Sequence, residues 1–320
     1  MAIFSLFLSD RLCGNFRRLQ IMSSQLFIGV DGGASCCRAR IRDTKGNLLG
    51  EGWGGPANIH LDLDLAVQSI RVASEAAARS AGLDERSLHR THAGLGLAGA
   101  GMKRACDGLR SKLPSFASTV VETDAYIAWL GAHHAEDGGI VILGTGSCGL
   151  AVIGGRRVAV GGYGAEVSDE AGGQRMGREV LRRALWAFDG RTETTALSTD
   201  ILERFEWDPA KIVCFAARAT PADYAEFAPL IFEYALAKDS LAVAVVQEAA
   251  EAATCIIERL NHVGCRTISL IGGLAEPLTK WLPTHVRCLL SAPHSDPLDG
   301  AILMARRAFF RVESLTLRAG

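Results

Sequence analysis

The sequence carries almost no net charge, and other hallmarks of common protein classes are absent from it. Its 34 basic and 35 acidic side chains leave a formal net charge of −1, so it lacks the basic excess with which proteins bind nucleic acids or anionic membrane surfaces. Nine cysteines occur without any CxxC spacing, which argues against a zinc site or a disulfide framework and favours a reducing cytoplasm. No uninterrupted run of about 18 apolar residues occurs, so the sequence predicts no membrane-spanning helix.

Motifs of several catalytic folds are missing as well. The segment 96–101 is followed by Met102 and Lys103, so it does not complete G-x-x-x-x-G-K-[ST], and this argues against a P-loop NTPase. A G-x-G-x-x-G pattern occurs at 94–99, but it begins inside a predicted strand rather than after one, which argues against a dinucleotide-binding loop. Gly-x-Ser-x-Gly is absent and the histidines lack metal-ligand spacing, so neither an α/β-hydrolase nor a histidine metal site is predicted.

Glycine, by contrast, is abundant, and it follows apolar segments that repeat along the chain. The segments LFIGVDGGASCCRARI and IVILGTGSCGLAVI share one order: strand, small-residue loop, hydroxyl, cysteine, strand. A chain of 320 residues is long enough for about two domains, and the repeat predicts two duplicated α/β lobes with a cleft between them. We expect lobes over 25–130 and 131–320, with the final helix packing on the first lobe. Residues 1–24 are interpreted as a disordered leader or an upstream-start extension, with Met22 as the alternative initiator.

Hydrophobic periodicity and turn residues predict the individual elements. After the opening apolar run from Leu26, strands are predicted at 36–42, 48–53, 93–97, 118–122, 139–143, 148–153, 158–160 and 267–271. Helices are predicted at 62–81, 103–112, from Asp124 onward, and at 170–188, 239–263 and 298–309. Adjacent His133 and His134 then fall near a helix end, where we expect both to be solvated.

Four glycine clusters follow predicted strands, at 32–33, 96–101, 144–147 and 272–273. Glycine lets the backbone approach a ligand closely, and consecutive N–H groups in such loops form anion-binding nests. Two of the loops lie at equivalent positions of the repeat and carry hydroxyls, Ser35 and Thr145, so they suit a nucleotide polyphosphate. The alternative for any one loop is an ordinary hairpin turn.

Acidic residues beside these loops supply candidate chemistry. Asp31 directly precedes the first loop, where a carboxylate would repel phosphate unless a cation intervened, so we predict Mg²⁺ at Asp31, bound directly or through water. Asp124 follows a strand and begins a helix, where it could accept the proton of a hydroxyl attacking a γ-phosphate, or act as the helix N-cap. Asp169 has the same two alternatives, ligand binding or capping. Asn58 is a hydrogen-bonding candidate in a loop.

Together these motifs resemble the actin-like sugar kinases, in the branch that contains bacterial glucosamine kinases and N-acetylglucosamine kinases, which is part of the wider group of BadF/BadG/BcrA/BcrD-type ATPases. The resemblance runs from about Leu26 to Ala305. It is carried by IGVDGGASCCRARIRDTKGNLLGEG, GPANI, GLGLAGAG, TDAY, LGTGSCG, VSDEAGG with QRMG, and LIGGLAEPL. The resemblance implies two ribonuclease-H-like lobes, with ATP and Mg²⁺ between them and an amino sugar in the cleft. It also implies a cytoplasmic homodimer.

The resemblance further implies a role for each candidate residue. The ATP-binding residues would be Asp31, Gly32, Gly33 and Ser35 in the first loop, Gly144, Thr145, Gly146 and Ser147 in the second, and Gly272 and Gly273. The sugar-binding residues would be Asn58, Gly99, Asp124, Thr145 and Asp169. Asp124 would also be the general base that deprotonates the 6-hydroxyl of glucosamine, giving glucosamine 6-phosphate and ADP, and Asp31 would hold Mg²⁺.

Departures from the family pattern leave alternatives open. The usual first loop reads Asp-Gly-Gly-Gly-Thr, whereas Ala34 and Ser35 end it here, and the usual Gly-Asp-Glu-Gly-Ser is SDEAG at 168–172. N-acetylglucosamine is the alternative substrate, because a cationic amine favours a nearby carboxylate and an acetyl group an apolar pocket. An ATP-switched activator of a partner enzyme is the alternative from another class. It would need bridging cysteines, whereas Cys36 and Cys37 are adjacent and, like Cys148, are predicted to be small strand residues. A sugar-sensing repressor would need a DNA-binding element, for which the 24-residue leader is too short.

Overall fold

The computed structural model describes residues 25–102 and 108–319. The predicted leader at 1–24 and part of the predicted helix at 103–112 lie outside the described residues. The chain divides into two compact units: the first extends up to Gly131 and resumes at Ser295, and the second is Ala132–His294. The last helix therefore belongs with the first unit, although it follows the second unit in the chain.

The described residues form nine strands and twelve α-helices. The strands are β1 (Leu26–Gly32), β2 (Cys37–Asp43), β3 (Leu48–Gly54), β4 (Thr91–Leu97), β5 (Ser118–Thr123), β6 (Gly138–Leu143), β7 (Ser147–Ile153), β8 (Arg156–Gly161) and β9 (Ile268–Ile271). The helices are α1 (Leu63–Ser80), α2 (Leu109–Lys112), α3 (Asp124–His133), α4 (Gly173–Phe188), α5 (Ala196–Arg204), α6 (Pro209–Ala216), α7 (Pro221–Ala225), α8 (Ala228–Leu236), α9 (Ser240–His262), α10 (Ala275–Thr279), α11 (Thr284–Arg287) and α12 (Pro297–Ala319). A 3₁₀ helix spans Glu85–Arg90.

The first unit is a five-stranded mixed sheet with helices on both faces. Its strand order is β3-β2-β1-β4-β5; β1, β2 and β3 form an antiparallel meander, and β4 and β5 run parallel to β1. Helix α1 packs on β3 and α12 packs on β1 and β4. Glycines allow both close approaches: a Cβ at Gly52 would lie 2.2 Å from the Ala73 carbonyl oxygen, and one at Gly94 would lie 2.0 Å from that of Ala301.

The second unit repeats the central part of this plan. Its strand order is β8-β7-β6-β9, with β6, β7 and β8 antiparallel and β9 parallel to β6. Both sheets therefore place a meander on one side of their first strand and a parallel strand on the other. The equivalent positions of β1 and β6 explain why their sequences look alike. The core of this unit is built by α4, α9 and the short helices between them.

Those short helices are the largest part of the fold that the sequence analysis left unassigned. Helices α5 to α8 occupy most of the interval between the predicted helices at 170–188 and 239–263. Each is nine residues or fewer, and separate caps at Thr195, Asp208 and Thr220 start three of them. Such short segments do not accumulate a readable 3.6-residue periodicity, which explains the omission.

Two local predictions are wrong. His133 is not solvated: its side chain is buried, its Nε2 lies 2.8 Å from the Gly139 carbonyl oxygen, and burial lowers the pKa of the ring. The predicted strand at 36–42 begins instead at Cys37, which is buried, and leaves Cys36 exposed in the preceding loop. In both cases tertiary packing decided what local pattern could not.

Helix α9 is long and apolar enough, by length and composition alone, to cross a membrane. More than half of its apolar window (56%) is buried inside the structure, and residues such as Val246, Ala253 and Ile257 belong to the core of the second unit. Burial in the core therefore explains the apolar composition of α9. Glu248 and Glu251 interrupt it, which is why the sequence shows no unbroken apolar run.

Arginines on β2 attach the start of α12 to the first unit. Arg40 donates to both carboxylate oxygens of Asp296 at 2.8 Å, and Arg42 donates to both oxygens of Asp299 at 2.8 and 3.0 Å. Burial works against ionisation of Asp299, but the hydrogen bonds from Arg42 and Arg40 outweigh it and lower the pKa of that carboxyl.

This attachment predicts loss of stability in acid. A carboxyl whose pKa is lower in the folded than in the unfolded chain stabilises the fold above its unfolded pKa and loses that contribution as the pH falls through its folded value. We expect the free energy of unfolding to decline below about pH 4, and Asp299→Asn to flatten part of that decline. Urea unfolding at a series of pH values measures the free energy of unfolding of both proteins. Glu85→Gln, at an exposed pair with Arg79, is the control, and an equal flattening in both variants would contradict the assignment.

Candidate functional site

The first part of the candidate site is the edge of the sheet at which the parallel strands β1, β4 and β5 end. In the sheet, Gly32 is paired with Leu97 and Leu97 with Thr123. The residues that follow these three positions therefore leave the sheet side by side. This register gathers at one edge the first glycine loop, the 98–101 turn and Asp124, which the sequence predicted separately.

Asp31 lies at the end of β1 and forms an ion pair with the neighbouring strand. Arg38 Nη2 donates to Asp31 Oδ2 at 2.6 Å, and the side chains of Asp31 and Arg38 are 17% and 38% exposed. Burial raises the pKa of Asp31, and the hydrogen bond and charge of Arg38 oppose that rise. Arg38 is a site neighbour that the sequence analysis missed, although the alternation of β2 places it directly opposite Asp31.

The first glycine loop turns tightly after β1. The Gly33 N–H donates to the Cys36 carbonyl at 2.9 Å, and Gly33's own carbonyl accepts from the Ala57 N–H at 2.9 Å. A Cβ at Gly32 would lie 2.7 Å from a Leu97 methyl group. Ala34, where the expected family pattern has a third glycine, does not adopt a positive φ, so alanine fits this loop without strain. Ser35 is exposed at the tip of the loop.

Asn58 and Gly99 lie together beside this edge. Asn58 Oδ1 accepts hydrogen bonds from the His60 and Leu61 N–H groups, which folds residues 58–61 into a tight turn. Gly99 has a φ of +83°, and a Cβ there would lie 2.7 Å from Asn58 Oδ1. The two predicted sugar ligands are thus in contact through a position that only glycine suits.

Asp124 is not the N-cap of α3. The Thr123 Oγ1 accepts from the Tyr126 N–H at 3.1 Å and takes the capping place, while Asp124 is the first residue of the helix. Its Oδ1 accepts the neighbouring Ala125 N–H at 2.9 Å. Thr123 therefore holds the capping position, and Asp124 carries its carboxylate on the first residue of the helix.

In the second unit, the equivalent loop after β6 is held by its neighbours. The Gly173 and Gln174 N–H groups at the start of α4 donate to the carbonyls of Gly144 and Thr145 at 2.8 and 3.0 Å. Ser147 begins β7, and its buried hydroxyl accepts from the Ala171 N–H at 3.1 Å. This hydroxyl serves the fold; Gly144, Thr145 and Gly146 are only partly buried.

The loop after β9 lies directly against the end of β6. Gly272 has a φ of +107°, and a Cβ there would lie 2.3 Å from the Leu143 carbonyl oxygen. The same carbonyl accepts from the Leu274 N–H at 3.0 Å. Gly273 is exposed, and a Cβ there would meet nothing within 4 Å. The structure therefore brings the 272–273 and 144–147 loops together, at the carboxyl ends of adjacent parallel strands.

Asp169 faces the second loop and is not a helix cap either. It has a left-handed φ of +65°, and α4 begins only at Gly173, with Gly172 at the capping position. Burial raises the pKa of Asp169, partly offset by N–H groups of Ser147 and Gly164. A Cβ at Gly146 would lie 2.4 Å from Asp169 Oδ2. Within the described residues, Asp169 Oδ1 is buried without a hydrogen-bond partner, as expected of a group that accepts from a ligand.

The available carboxylates suit a cation that a bound phosphate ligand would hold together with one protein side chain. Among the described residues, no three His, Cys, Asp or Glu side chains converge on a metal position. Mg²⁺ typically keeps several waters and binds through one or two carboxylates together with substrate phosphates. A single carboxylate such as Asp31, beside a glycine loop, fits that pattern.

Comparison with known proteins identifies the family. Residues 28–305 match the BadF/BadG/BcrA/BcrD ATPase family. A glucosamine kinase from Vibrio cholerae is 38% identical over 87% of this chain and 95% of its own length. A solved structure from Chromobacterium violaceum, to which N-acetylglucosamine kinase activity has been provisionally assigned, is 34% identical with a TM-score of 0.82, covering 88% of this chain and 99% of that one.

A more distant structure bears on the fold alone. A ROK family glucokinase from Streptomyces griseus, solved with glucose and AMPPNP, is 21% identical with a TM-score of 0.54 over 88% of this chain and 99% of its own. The predicted α/β class with duplicated ribonuclease-H-like lobes is confirmed by these neighbours and by the repeated sheet order. The predicted family is confirmed by the extent of the match. The chain belongs to the BadF/BadG/BcrA/BcrD ATPase family, within its sugar-kinase relatives.

Proposed function

We propose that this protein is an ATP- and Mg²⁺-dependent amino-sugar kinase that transfers the γ-phosphate to the 6-hydroxyl of glucosamine. The observation that carries the proposal is the pair of equivalent glycine loops, one after β1 and one after β6, with the Asp124 carboxylate at the edge of the first sheet. The 38% identical relative from Vibrio cholerae, a glucosamine kinase, supports the choice of sugar.

The chemistry assigns one proton transfer to Asp124. The sugar 6-hydroxyl gives its proton to the carboxylate as its oxygen attacks the γ-phosphorus, the bond to the β-phosphate oxygen breaks, and ADP leaves. Because Thr123 occupies the capping position, protonation of Asp124 leaves that capping hydrogen bond in place. The Ala125 N–H bond to Oδ1 fixes the direction of the carboxylate.

The remaining residues bind and orient. Backbone N–H groups of 32–35 and 144–146 would hold the phosphates, and Gly272 and Gly273 would contact the nucleoside. Asp31, kept in place by Arg38, would hold Mg²⁺, which supplies neutralisation of phosphate charge when bound. Asn58, Gly99, Thr145 and Asp169 would position the sugar. Ser147 is proposed to support the second loop from within, since its hydroxyl is bonded to Ala171.

N-acetylglucosamine is the second candidate substrate, favoured by the 34% identical Chromobacterium violaceum structure. The buried Asp169 Oδ1, which has no hydrogen-bond partner among the described residues, argues for the amine, because an ammonium group is positively charged and can donate up to three hydrogen bonds, whereas an acetamide is neutral and donates one. A cytoplasmic homodimer without nucleic-acid or membrane partners is proposed by analogy with the family.

A coupled assay of ADP release tests the proposal. The purified full chain is offered glucosamine, N-acetylglucosamine, glucose and mannosamine with ATP and Mg²⁺, and then with excess EDTA. We expect the highest kcat/KM for glucosamine and loss of turnover when EDTA removes the metal. ATP hydrolysis that no sugar stimulates would instead favour an ATP-switched activator, and preference for N-acetylglucosamine would reverse the order of the two substrates.

A further inference from the structure

The segment between β8 and α4 has little packing of its own. This segment, residues 162–172 and here called the Asp169 loop, carries left-handed Gly162 and Gly164 as well as Asp169. Its Tyr163 and Val167 side chains are 73% and 79% exposed. A loop with so few buried apolar contacts must be held by polar ones, or it opens readily.

Besides the bonds that Ser147 makes at its end, two side chains from α4 hold the middle of this loop. Gln174 Nε2 donates to the Ala165 carbonyl at 3.0 Å, and Arg178 Nη2 donates to Glu166 Oε1 at 3.1 Å. Residues four apart lie on one face of a helix, so the two ties run in parallel from one surface of α4 to consecutive residues of the loop. Gln174 is 1% exposed, whereas the Arg178 side chain is 36% exposed.

The Gln174 amide has one unused end. Within the described residues its Oε1 is buried without a hydrogen-bond partner, as is Asp169 Oδ1 in the loop that Gln174 holds. An apolar side chain of the same size would fill this volume without leaving a buried acceptor unpaired. Packing alone therefore does not explain a glutamine at this position, whereas the hydrogen bond from its side chain to the loop does.

We propose that Gln174 is a positioning residue, whose amide fixes the Asp169 loop against α4, with Arg178 as a weaker second tie, so that Asp169 meets the sugar in one geometry. The inference rests on the proposed function of Asp169 as a sugar ligand. Gln174 was not among the residues that the sequence analysis selected, because an isolated glutamine in a helix carries no motif.

Gln174→Met tests the main tie, because methionine keeps the volume and removes the hydrogen bond. A net hydrogen bond of ordinary strength predicts that KM for glucosamine rises about fivefold. The value of kcat should fall less than about threefold and KM for ATP should stay within about twofold, because the substitution keeps the backbone bond from the Gln174 N–H to the Thr145 carbonyl and Asp124 belongs to the first unit. Arg178→Met should have a smaller effect in the same direction, because exposed ion pairs are weak. The double charge exchange Glu166→Arg with Arg178→Glu should return the KM for glucosamine toward the value of the unaltered protein.

Arg175→Met is the matched control. Arg175 follows Gln174 on the same helix, but it is exposed and lines a surface depression with Glu170, Glu248 and Glu251, on a different face of α4 from Gln174 and Arg178. A change in KM for glucosamine equal to that of Gln174→Met would indicate a general effect of altering α4 and would overturn the proposal.

Hydrogen exchange without substrate gives an independent readout. The Ser168 N–H donates to the Gly164 carbonyl at 2.9 Å, so loosening of the loop should speed its exchange in Gln174→Met and not in Arg175→Met. Unchanged exchange overturns the tie, and faster exchange with unchanged sugar KM overturns the positioning role. If the unaltered protein phosphorylates no amino sugar, the proposed function fails and the positioning role with it, while exchange still decides whether the tie exists.

Discussion

Asp124→Asn is expected to abolish sugar phosphorylation while leaving nucleotide binding intact. Asparagine keeps the shape of the side chain and can still accept the Ala125 N–H, but it cannot take a proton from the 6-hydroxyl. Loss of a positioned general base lowers kcat by about 10²- to 10⁴-fold. The rate is measured by coupled ADP release and the affinity for ATP by titration calorimetry.

Asp137→Asn is the control for this substitution. Asp137 accepts the Gly154 N–H in an exposed turn of the second unit, so its carboxylate lies outside the candidate residues. We expect nearly unchanged turnover there. Turnover of Asp124→Asn within tenfold of the unaltered protein would contradict the base role, and a lowered melting temperature in that variant alone would point to a structural one.

Gly272→Ala is expected to lower the stability of the second unit strongly. The new Cβ would lie 2.3 Å from the Leu143 carbonyl oxygen, at a φ of +107° that alanine rarely adopts. Strain and overlap together predict a cost of about 3 kcal/mol or more, which corresponds to a fall in melting temperature of about 6 °C or more. Because Leu143 ends β6 directly before the second glycine loop, affinity for ATP should fall as well.

Gly273→Ala separates this geometry from a general intolerance of the loop. A Cβ at Gly273 meets nothing within 4 Å and its φ is not positive, so the melting temperature should change by no more than about 1–2 °C. Calorimetric unfolding of the two variants decides the point. Equal melting temperatures would show that the end of β6 accommodates a side chain and that Gly272 has no special conformational role.

The sequence predicted best what local chemistry determines. The helix predicted at 62–81 is α1, capped by Asp62 and followed by left-handed Gly82, and α9 begins at its Asp239 cap. In each case an N-cap residue within a few positions of an apolar periodicity fixes the boundary. The equivalence of the loops after β1 and β6 was also predictable, because the repeated segments are themselves local.

What the sequence did not predict depends on contacts between distant residues, or on which of two neighbouring residues occupies a helix end. The pairing of Arg40 with Asp296 joins positions 256 apart. Whether Thr123 or Asp124 caps α3 depends on which side chain reaches the Tyr126 N–H, and both residue types are good caps. Asp169 was expected to start a helix, but its left-handed backbone delays the helix to Gly173 and turns the carboxylate toward Gly146.

The place of α12 has a consequence for synthesis. Helix α12 packs so closely on Gly29 and Gly94 that a Cβ added at these positions would lie 2.3 and 2.0 Å from its backbone. That face of the first sheet is covered only after the whole second unit has left the ribosome. The first unit is therefore completed only after the second has been synthesised, and a nascent chain that stops before Ser295 leaves Phe27 of β1, which packs on α12, exposed to aggregation.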